Sequence, residues 1–219
     1  MARMPPVLLV LGAGPGLGLA VARRFEAEGF RPVLAARSPD KLAALAAELS
    51  DAGTVAVDLT DADAVTAAVT SVGESEGRID VLHFNPSAFR MADPLHLSVD
   101  QLFADLRLGV AALLPAVQAA RPFMSAGARV LATGSAAADT PWHEAASLGV
   151  QKAALRNLVT SLDATLAPDG IRAVAVQVNG VLADDGPFAP SAVAEAMYAA
   201  ATRPDEGWTP QVAYDGSPS

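Results

Sequence analysis

The sequence contains no cysteine and has more acidic than basic side chains. Without cysteine there is neither a disulfide framework nor a thiolate metal site, which fits a reducing compartment, so we expect a cytoplasmic protein without a metal centre. Lys and Arg number 15 against 24 Asp and Glu, which gives a net charge of −9 without any dense basic run. Nucleic acids and anionic membranes require a basic surface, so we expect neither as a partner.

Aromatic residues and long hydrophobic runs are also scarce. The composition is 52% hydrophobic but only 5% aromatic, so the core must consist of closely packed Ala, Val and Leu. The first apolar run, residues 7–11, is far too short to span a membrane, and a glycine cluster follows it instead of a signal-peptide cleavage pattern. The chain has no internal repeat and no Gly/Ser linker, and we expect a single domain over residues 1–219.

Short β-type runs alternate along the chain with longer stretches of helical periodicity. The predicted strands cover residues 7–11, 32–36, 54–57, 79–84, 128–133, 171–178 and 211–214. The predicted helices cover residues 16–29, 40–50, 61–76, 98–124, 144–166 and 191–202. This alternation predicts an α/β fold of the Rossmann type, a doubly wound sheet of about seven mainly parallel strands with helices on both faces. Two irregular segments, 86–97 and 182–190, follow strands and are candidate substrate-side loops.

A glycine-rich turn follows the first predicted strand directly. It reads Gly12-Ala13-Gly14-Pro15-Gly16-Leu17-Gly18. Such a turn lets backbone N–H groups and a helix N-terminus approach a pyrophosphate, although a turn of this kind also occurs simply as a connection between strand and helix.

The end of the second predicted strand carries Arg37 followed by Ser38, where the adenosine ribose of a dinucleotide would lie. An acidic residue there would bind a ribose 2′-hydroxyl, whereas Arg suits a 2′-phosphate. We therefore expect NADP in preference to NAD; the alternative is an exposed Arg at a strand end.

These motifs resemble the short-chain dehydrogenase/reductase family from about residue 7 to residue 214. Gly12, Gly16 and Gly18 are similar to its glycine motif, although Leu11 stands where Thr is usual. Val57-Asp58-Leu59 resembles the segment whose Asp contacts adenine, and Asn85 is all that matches the family's Asn-Asn-Ala-Gly turn. The resemblance implies a cofactor-binding set of Gly12, Gly14, Gly16, Leu17, Gly18, Arg37, Ser38, Asp58, Leu59, Asn85 and Lys152.

The family's catalytic set consists of a Ser, a Tyr, a Lys four residues after the Tyr, and often an Asn. Ser135 and Lys152 are similar to the catalytic Ser and Lys. Leu148 stands at the Tyr position, thirteen residues after Ser135 as is usual in the family, so the register holds and the Tyr is absent. Gly109 stands near the Asn position. Two of the four catalytic positions are therefore interpreted as vacated.

His143 is the candidate replacement proton donor, because it lies between Ser135 and Leu148 in a segment that borders the substrate in this family. The alternative is a solvated or capping histidine near a helix start. The remaining candidates for the donor are water and the substrate itself.

The resemblance implies an NADP(H)-dependent oxidoreductase that acts on a small carbonyl or alcohol with a non-standard proton donor. Two alternatives remain open: a catalytically inactive NADP(H)-binding sensor or interaction protein, and a non-redox isomerase or lyase on the same fold. Members of the family commonly assemble through their fourth and fifth helices, which implies a homodimer or homotetramer.

Overall fold

The computed structural model describes residues 4–217 of the chain, and these contain seven strands in one sheet. The strands are β1 (Val7–Leu11), β2 (Arg31–Ala36), β3 (Gly53–Ala56), β4 (Val81–Phe84), β5 (Arg129–Ser135), β6 (Arg172–Val178) and β7 (Gln211–Tyr214). All neighbours pair in parallel in the order β3-β2-β1-β4-β5-β6-β7. The predicted Rossmann-type sheet is confirmed, and its strand order reverses between β1 and β4, where open α/β sheets bind ligands.

Seven α-helices connect and cover the strands within residues 4–217. They are α1 (Leu17–Glu26), α2 (Pro39–Ala46), α3 (Ala62–Glu76), α4 (Val99–Leu106), α5 (Leu113–Ala120), α6 (Ala146–Leu166) and α7 (Pro190–Thr202). The predicted helices over 40–50 and 61–76 begin beside local caps, because Ser38 caps α2 and Asp61 caps α3 through side-chain oxygens that accept backbone N–H groups. These local caps explain why the boundaries were readable from sequence.

The core lies on both faces of the sheet. Helices α3, α5 and α6 contribute buried aliphatic residues to one face, while α1, α2 and α7 contribute to the other. Ala, Val and Leu dominate both clusters, as the composition required. The chain thus buries its central parallel strands on both sides, while the edge strands β3 and β7 keep exposed residues along their length.

The predicted continuous helix over residues 98–124 is interrupted by a π-helical segment, Arg107–Ala111. It joins α4 to α5 and contains Gly109, against which α6 packs through Gln151. Helical periodicity does not encode this interruption, and the residue packed against Gly109 lies on a helix much later in the chain. π-Helical turns are common at functional sites.

Candidate functional site

The glycine turn joins β1 to α1 at the carboxyl edge of the sheet. Gly12 has a φ of +80°, a left-handed conformation that favours glycine, and a Cβ there would lie 3.0 Å from the Pro86 nitrogen. By contrast, nothing lies within 4 Å of where a Cβ would stand on Gly14 or Gly16, so the space above these two residues is open. Helix α1 starts after Gly16 without a side-chain cap, and Gly18 lies in its first turn. The turn therefore presents uncapped backbone N–H groups to an open concavity, which suits an anionic phosphate.

Beside this turn is a first cavity of about 380 Å³. Its lining includes five of the predicted cofactor residues: Gly12, Arg37, Asp58, Leu59 and Asn85. The Asp58 carboxylate accepts hydrogen bonds from the Thr60 backbone N–H at 2.9 Å and from the Thr60 hydroxyl at 2.8 Å. These two bonds hold the pKa of Asp58 below its usual range, so the group is ionised and fixed at the cavity wall.

A second cavity of about 540 Å³ lies between the glycine turn and α2. Arg37 and Ser38 line it, as predicted, and so does Lys41 in the first turn of α2. Both basic side chains are exposed, so they are available to an anion beside Gly14. Sequence reasoning missed Lys41; its position four residues after Arg37, just inside a capped helix, was the available signal.

The third cavity, called the cleft from here on, has a volume of about 350 Å³. It is lined by Leu17, Ser87, Phe89, Thr133, Gly134, Ser135, Leu148, Lys152, Val178, Gly180, Val181 and Leu182. The structure thus brings Ser135, Lys152 and Leu148 together. Leu17, predicted as a cofactor residue, also faces this cleft. His143 is exposed and is not among the lining residues.

Lys152 reaches the floor of the cleft from α6. Its side chain is only 4% exposed, and its Nζ donates to the Thr133 carbonyl oxygen at 2.8 Å. Burial lowers the pKa of Lys152 to about 8, because an ammonium ion loses hydration there. Ser135 stands at the end of β5, where its Oγ accepts the Ala137 N–H at 3.2 Å and keeps its own proton free to donate.

Asn85 ties the ends of three neighbouring strands together. Its amide donates to the Gly12 carbonyl oxygen at 3.1 Å and accepts the Thr133 hydroxyl proton at 2.8 Å. The Thr133 oxygen in turn lies 3.0 Å from Nε2 of His83, which must donate because the threonine proton is already used. Complete burial lowers the pKa of His83 to about 3, so the ring is neutral. The network fixes Thr133, and with it the carbonyl that holds Lys152.

Gln151 fills the space beside Gly109 that a side chain on residue 109 would occupy. A Cβ on Gly109 would lie 2.2 Å from Oε1 of Gln151, a fully buried side chain. Gln151 accepts the Ala88 N–H at 3.1 Å and donates to the Ala88 carbonyl at 3.0 Å and to the Ser147 carbonyl at 3.2 Å. The lack of a side chain on Gly109 makes room for an amide that anchors the loop after β4.

A second contact holds the same loop. Arg90 forms two 3.0 Å bonds to the carboxylate of Asp105, which is only 3% exposed, and Ser147 donates to that carboxylate at 2.8 Å. Arg90 and then Ser147 lower the pKa of Asp105 against the opposing effect of burial. Ser147 thereby points to Asp105 and is not among the residues that line the cleft. Loop 86–97 is a fixed wall of the cleft.

Comparison with known proteins agrees with this geometry. A model of the short chain dehydrogenase family matches residues 6–185. Meso-2,3-butanediol dehydrogenase from Serratia marcescens is 40% identical over 96 residues, 43% of this chain and 38% of the relative. Oxidoreductase UcpA from Escherichia coli K12 is 33% identical over 178 residues, 77% of this chain and 66% of the relative. The chain therefore spans less than two thirds of the length of each of these two curated relatives.

Solved structures show the likeness over nearly the whole chain. A short chain dehydrogenase from Burkholderia cenocepacia, crystallised in complex with NADP, superposes with a TM-score of 0.85 at 28% identity and 99% coverage of both chains. This agrees with the order of the strands and with the glycine turn at the switch point of the sheet. It also agrees with the presence of Ser135 and Lys152 in one cleft. The chain belongs to the short chain dehydrogenase family of NAD(P)-binding oxidoreductases.

Proposed function

We propose that the protein is an NADP(H)-dependent oxidoreductase that acts on a small carbonyl or alcohol with a proton donor other than tyrosine. The observation that carries this proposal is that Ser135 and Lys152 share one cleft. Leu17, which lines that cleft, directly follows the open glycine turn. A single cofactor could therefore bind with its phosphates on the glycine turn and its nicotinamide in the cleft.

The residues present fit such a cofactor. The open backbone at Gly14 and Gly16 suits the pyrophosphate, and the second cavity offers Arg37, Ser38 and Lys41 to a ribose 2′-phosphate. The first cavity suits the adenine side with Asp58, Leu59 and Asn85. Lys152 would hold the nicotinamide ribose. The two exposed basic residues favour NADP over NAD, because a 2′-phosphate needs positive charge.

The chain's own residues would position the substrate. The proton that the substrate oxygen takes up would come from another source. Bound NADPH supplies a hydride to a carbonyl carbon. The free proton of the Ser135 hydroxyl would donate a hydrogen bond to the carbonyl oxygen and stabilise the negative charge that develops there. Since Leu148 has no proton to give and His143 is exposed outside the cleft, water is the favoured source of the proton that the oxygen takes up.

Leu148 also favours a second candidate, an NADP(H)-binding protein without catalysis. Its half-buried side chain lines the cleft beside Ser135 and Lys152, so an apolar group occupies the position from which this family donates a proton. Such a protein would bind NADPH saturably and change its assembly or a partner's affinity.

The experiment compares the natural protein with Leu148→Tyr. NADPH binding is measured by fluorescence titration, and NADPH oxidation is followed with a panel of aldehydes, ketones and quinones. Oxidation by the natural protein supports the oxidoreductase. Activity only in Leu148→Tyr supports the non-catalytic candidate and shows that Ser135 and Lys152 are still aligned. If neither the natural protein nor Leu148→Tyr binds NADPH, both candidates are refuted.

A further inference from the structure

The wall of the cleft is apolar, apart from its floor. Leu17, Phe89, Leu148, Val178 and Leu182 contribute hydrocarbon surface, while the polar groups of Thr133, Ser135 and Lys152 gather at the end of β5 and on the second turn of α6, and Ser87 adds one hydroxyl from the loop after β4. Among residues 4–217, no Asp, Glu, Arg or His lines this cavity. The Lys152 ammonium is already bonded to the Thr133 carbonyl and is almost fully buried.

Apolar side chains continue from the wall to the outer surface. Phe89 is 63% exposed and Trp142 is 46% exposed, and their rings lie 6.3 Å apart at an interplanar angle of 31°. Val181 and Leu182 are exposed on the loop after β6. Exposed apolar surface costs about 25 cal/mol per Å², so a cluster of this kind marks a place where a ligand covers it.

The charges near the cleft disfavour an anionic ligand. Arg90, the neighbour of Phe89, is held by two bonds to Asp105 and does not supply a free cation. Asp184 and Asp185 are exposed just after Leu182, and Glu144 is exposed two residues after Trp142. His143, also exposed, is the basic group in that stretch. A carboxylate or phosphate on the substrate would lose its hydration against the apolar wall, where Lys152, the only charged lining group among residues 4–217, is already bonded to the Thr133 carbonyl and the flanking segments are acidic.

We infer that the cleft selects neutral carbonyl compounds with an aromatic or hydrocarbon body and excludes carboxylated or phosphorylated ones. This inference rests on the proposed function, because it names the substrate class of the same site. The carbonyl oxygen meets Ser135 at the floor, while Phe89, Trp142 and Leu148 contact the apolar body. Leu148 fits this role, since a leucine adds hydrocarbon surface where a tyrosine would present a hydroxyl.

The test uses two ligands that differ in charge: 4-acetylbenzoate and its methyl ester. Binding of each to the natural protein is measured by equilibrium dialysis, with and without NADP⁺, so the result does not depend on turnover. We expect the ester to bind at least tenfold more tightly than the acid. Equal or tighter binding of the acid, or no binding of the ester while NADP⁺ binds, would overturn the inference.

Variants then locate the binding surface. Phe89→Ala and Trp142→Ala should each weaken ester binding about tenfold, because an aromatic contact is lost. Leu95→Ala is the matched control: Leu95 lies on the same loop as Phe89 and is 92% exposed, but it neither lines the cleft nor belongs to the Phe89–Trp142 ring pair. Equal effects in all three variants would refute the assignment of the surface. Failure of NADP⁺ to bind would refute the proposed function. In that case, the comparison of ester and acid binding without cofactor would still test the inference.

Discussion

At the scale of single residues, the buried Lys152, which we propose binds the cofactor, lowers the stability of the fold. Its pKa falls from 10.5 to about 8 on folding, because burial disfavours the charged form. Between these two values the unfolded chain binds the extra proton, so the free energy of unfolding rises with pH across that window. Below pH 8 the whole cost of burying the ammonium is present, offset in part by the bond to Thr133.

We therefore expect Lys152→Met to increase the free energy of unfolding at pH 7 by about 2 kcal/mol, while it abolishes NADPH binding. The gain should shrink as the pH rises from about 8 towards 10.5. Urea unfolding at pH 7 and pH 10 measures it, and Lys41→Met, at an exposed lysine, is the control. A gain that is the same at both pH values would show that charge burial is not its cause.

Arg37 is the residue on which the proposed preference for NADP over NAD depends. It is exposed at the end of β2 and lines both cavities beside the glycine turn. A charge-assisted hydrogen bond contributes about 1.5–3 kcal/mol, so Arg37→Ala should weaken NADPH binding about 10- to 100-fold and leave NADH binding nearly unchanged. Fluorescence titration with both cofactors measures this ratio. Arg121→Ala removes the same charge after α5, away from the glycine turn, and an equal loss there would show a general charge effect.

At the scale of elements, the π-helical segment depends on the fit between Gly109 and Gln151. Side-chain atoms on residue 109 would displace the Gln151 amide, which makes three hydrogen bonds and holds Ala88. We expect Gly109→Asn, which introduces the family's usual residue, to lower the free energy of unfolding by about 1–3 kcal/mol.

The double variant Gly109→Asn/Gln151→Ala separates overcrowding from other causes. Removing the Gln151 amide gives the new Asn its space, so the two losses should not add, and the coupling should be at least about 1 kcal/mol in a double-mutant cycle. Additive losses would mean that the two side chains do not compete for the same volume. Gly14→Ala, at a glycine with open space around it, serves as the control for stability.

The same segment shows which features a sequence can reveal. The starts of α2 and α3 were predictable because Ser38 and Asp61 cap their N-termini from adjacent residues. Ser135 and Lys152 were predictable because the family resemblance assigns both, and the structure brings them into one cleft. The role of Gly109 was not, because its partner lies 42 residues later, on another helix. Lys41 was missed for a different reason: an exposed lysine on a helix gives no pattern until the cavity beside it is known.

At the scale of the whole molecule, one helix leaves an apolar face uncovered. The helical stretch Val99–Phe123 runs through α4, the π-helical segment and α5. Within the described part of the chain, it is the single helical stretch that is long and apolar enough to cross a membrane, and only 33% of its most apolar 18-residue segment is buried. Phe103 and Leu114 are exposed on it at 61% and 41%, and Val150 on α6 is 45% exposed. Helix α4, which carries Phe103, packs against α6, which carries Val150, while Leu114 lies on α5 beyond the π-helical segment.

We propose that a second copy of the chain covers this face, so that the protein is a homodimer or a dimer of dimers. The Phe103→Glu/Leu114→Glu variant should then elute as a monomer in size-exclusion chromatography with light scattering, because two carboxylates would be desolvated at the interface. Leu95→Glu, on the exposed loop, should leave the assembly unchanged. A natural protein that is monomeric at 50 µM would contradict the proposal, and co-flotation with phospholipid vesicles would show that a membrane covers the face instead.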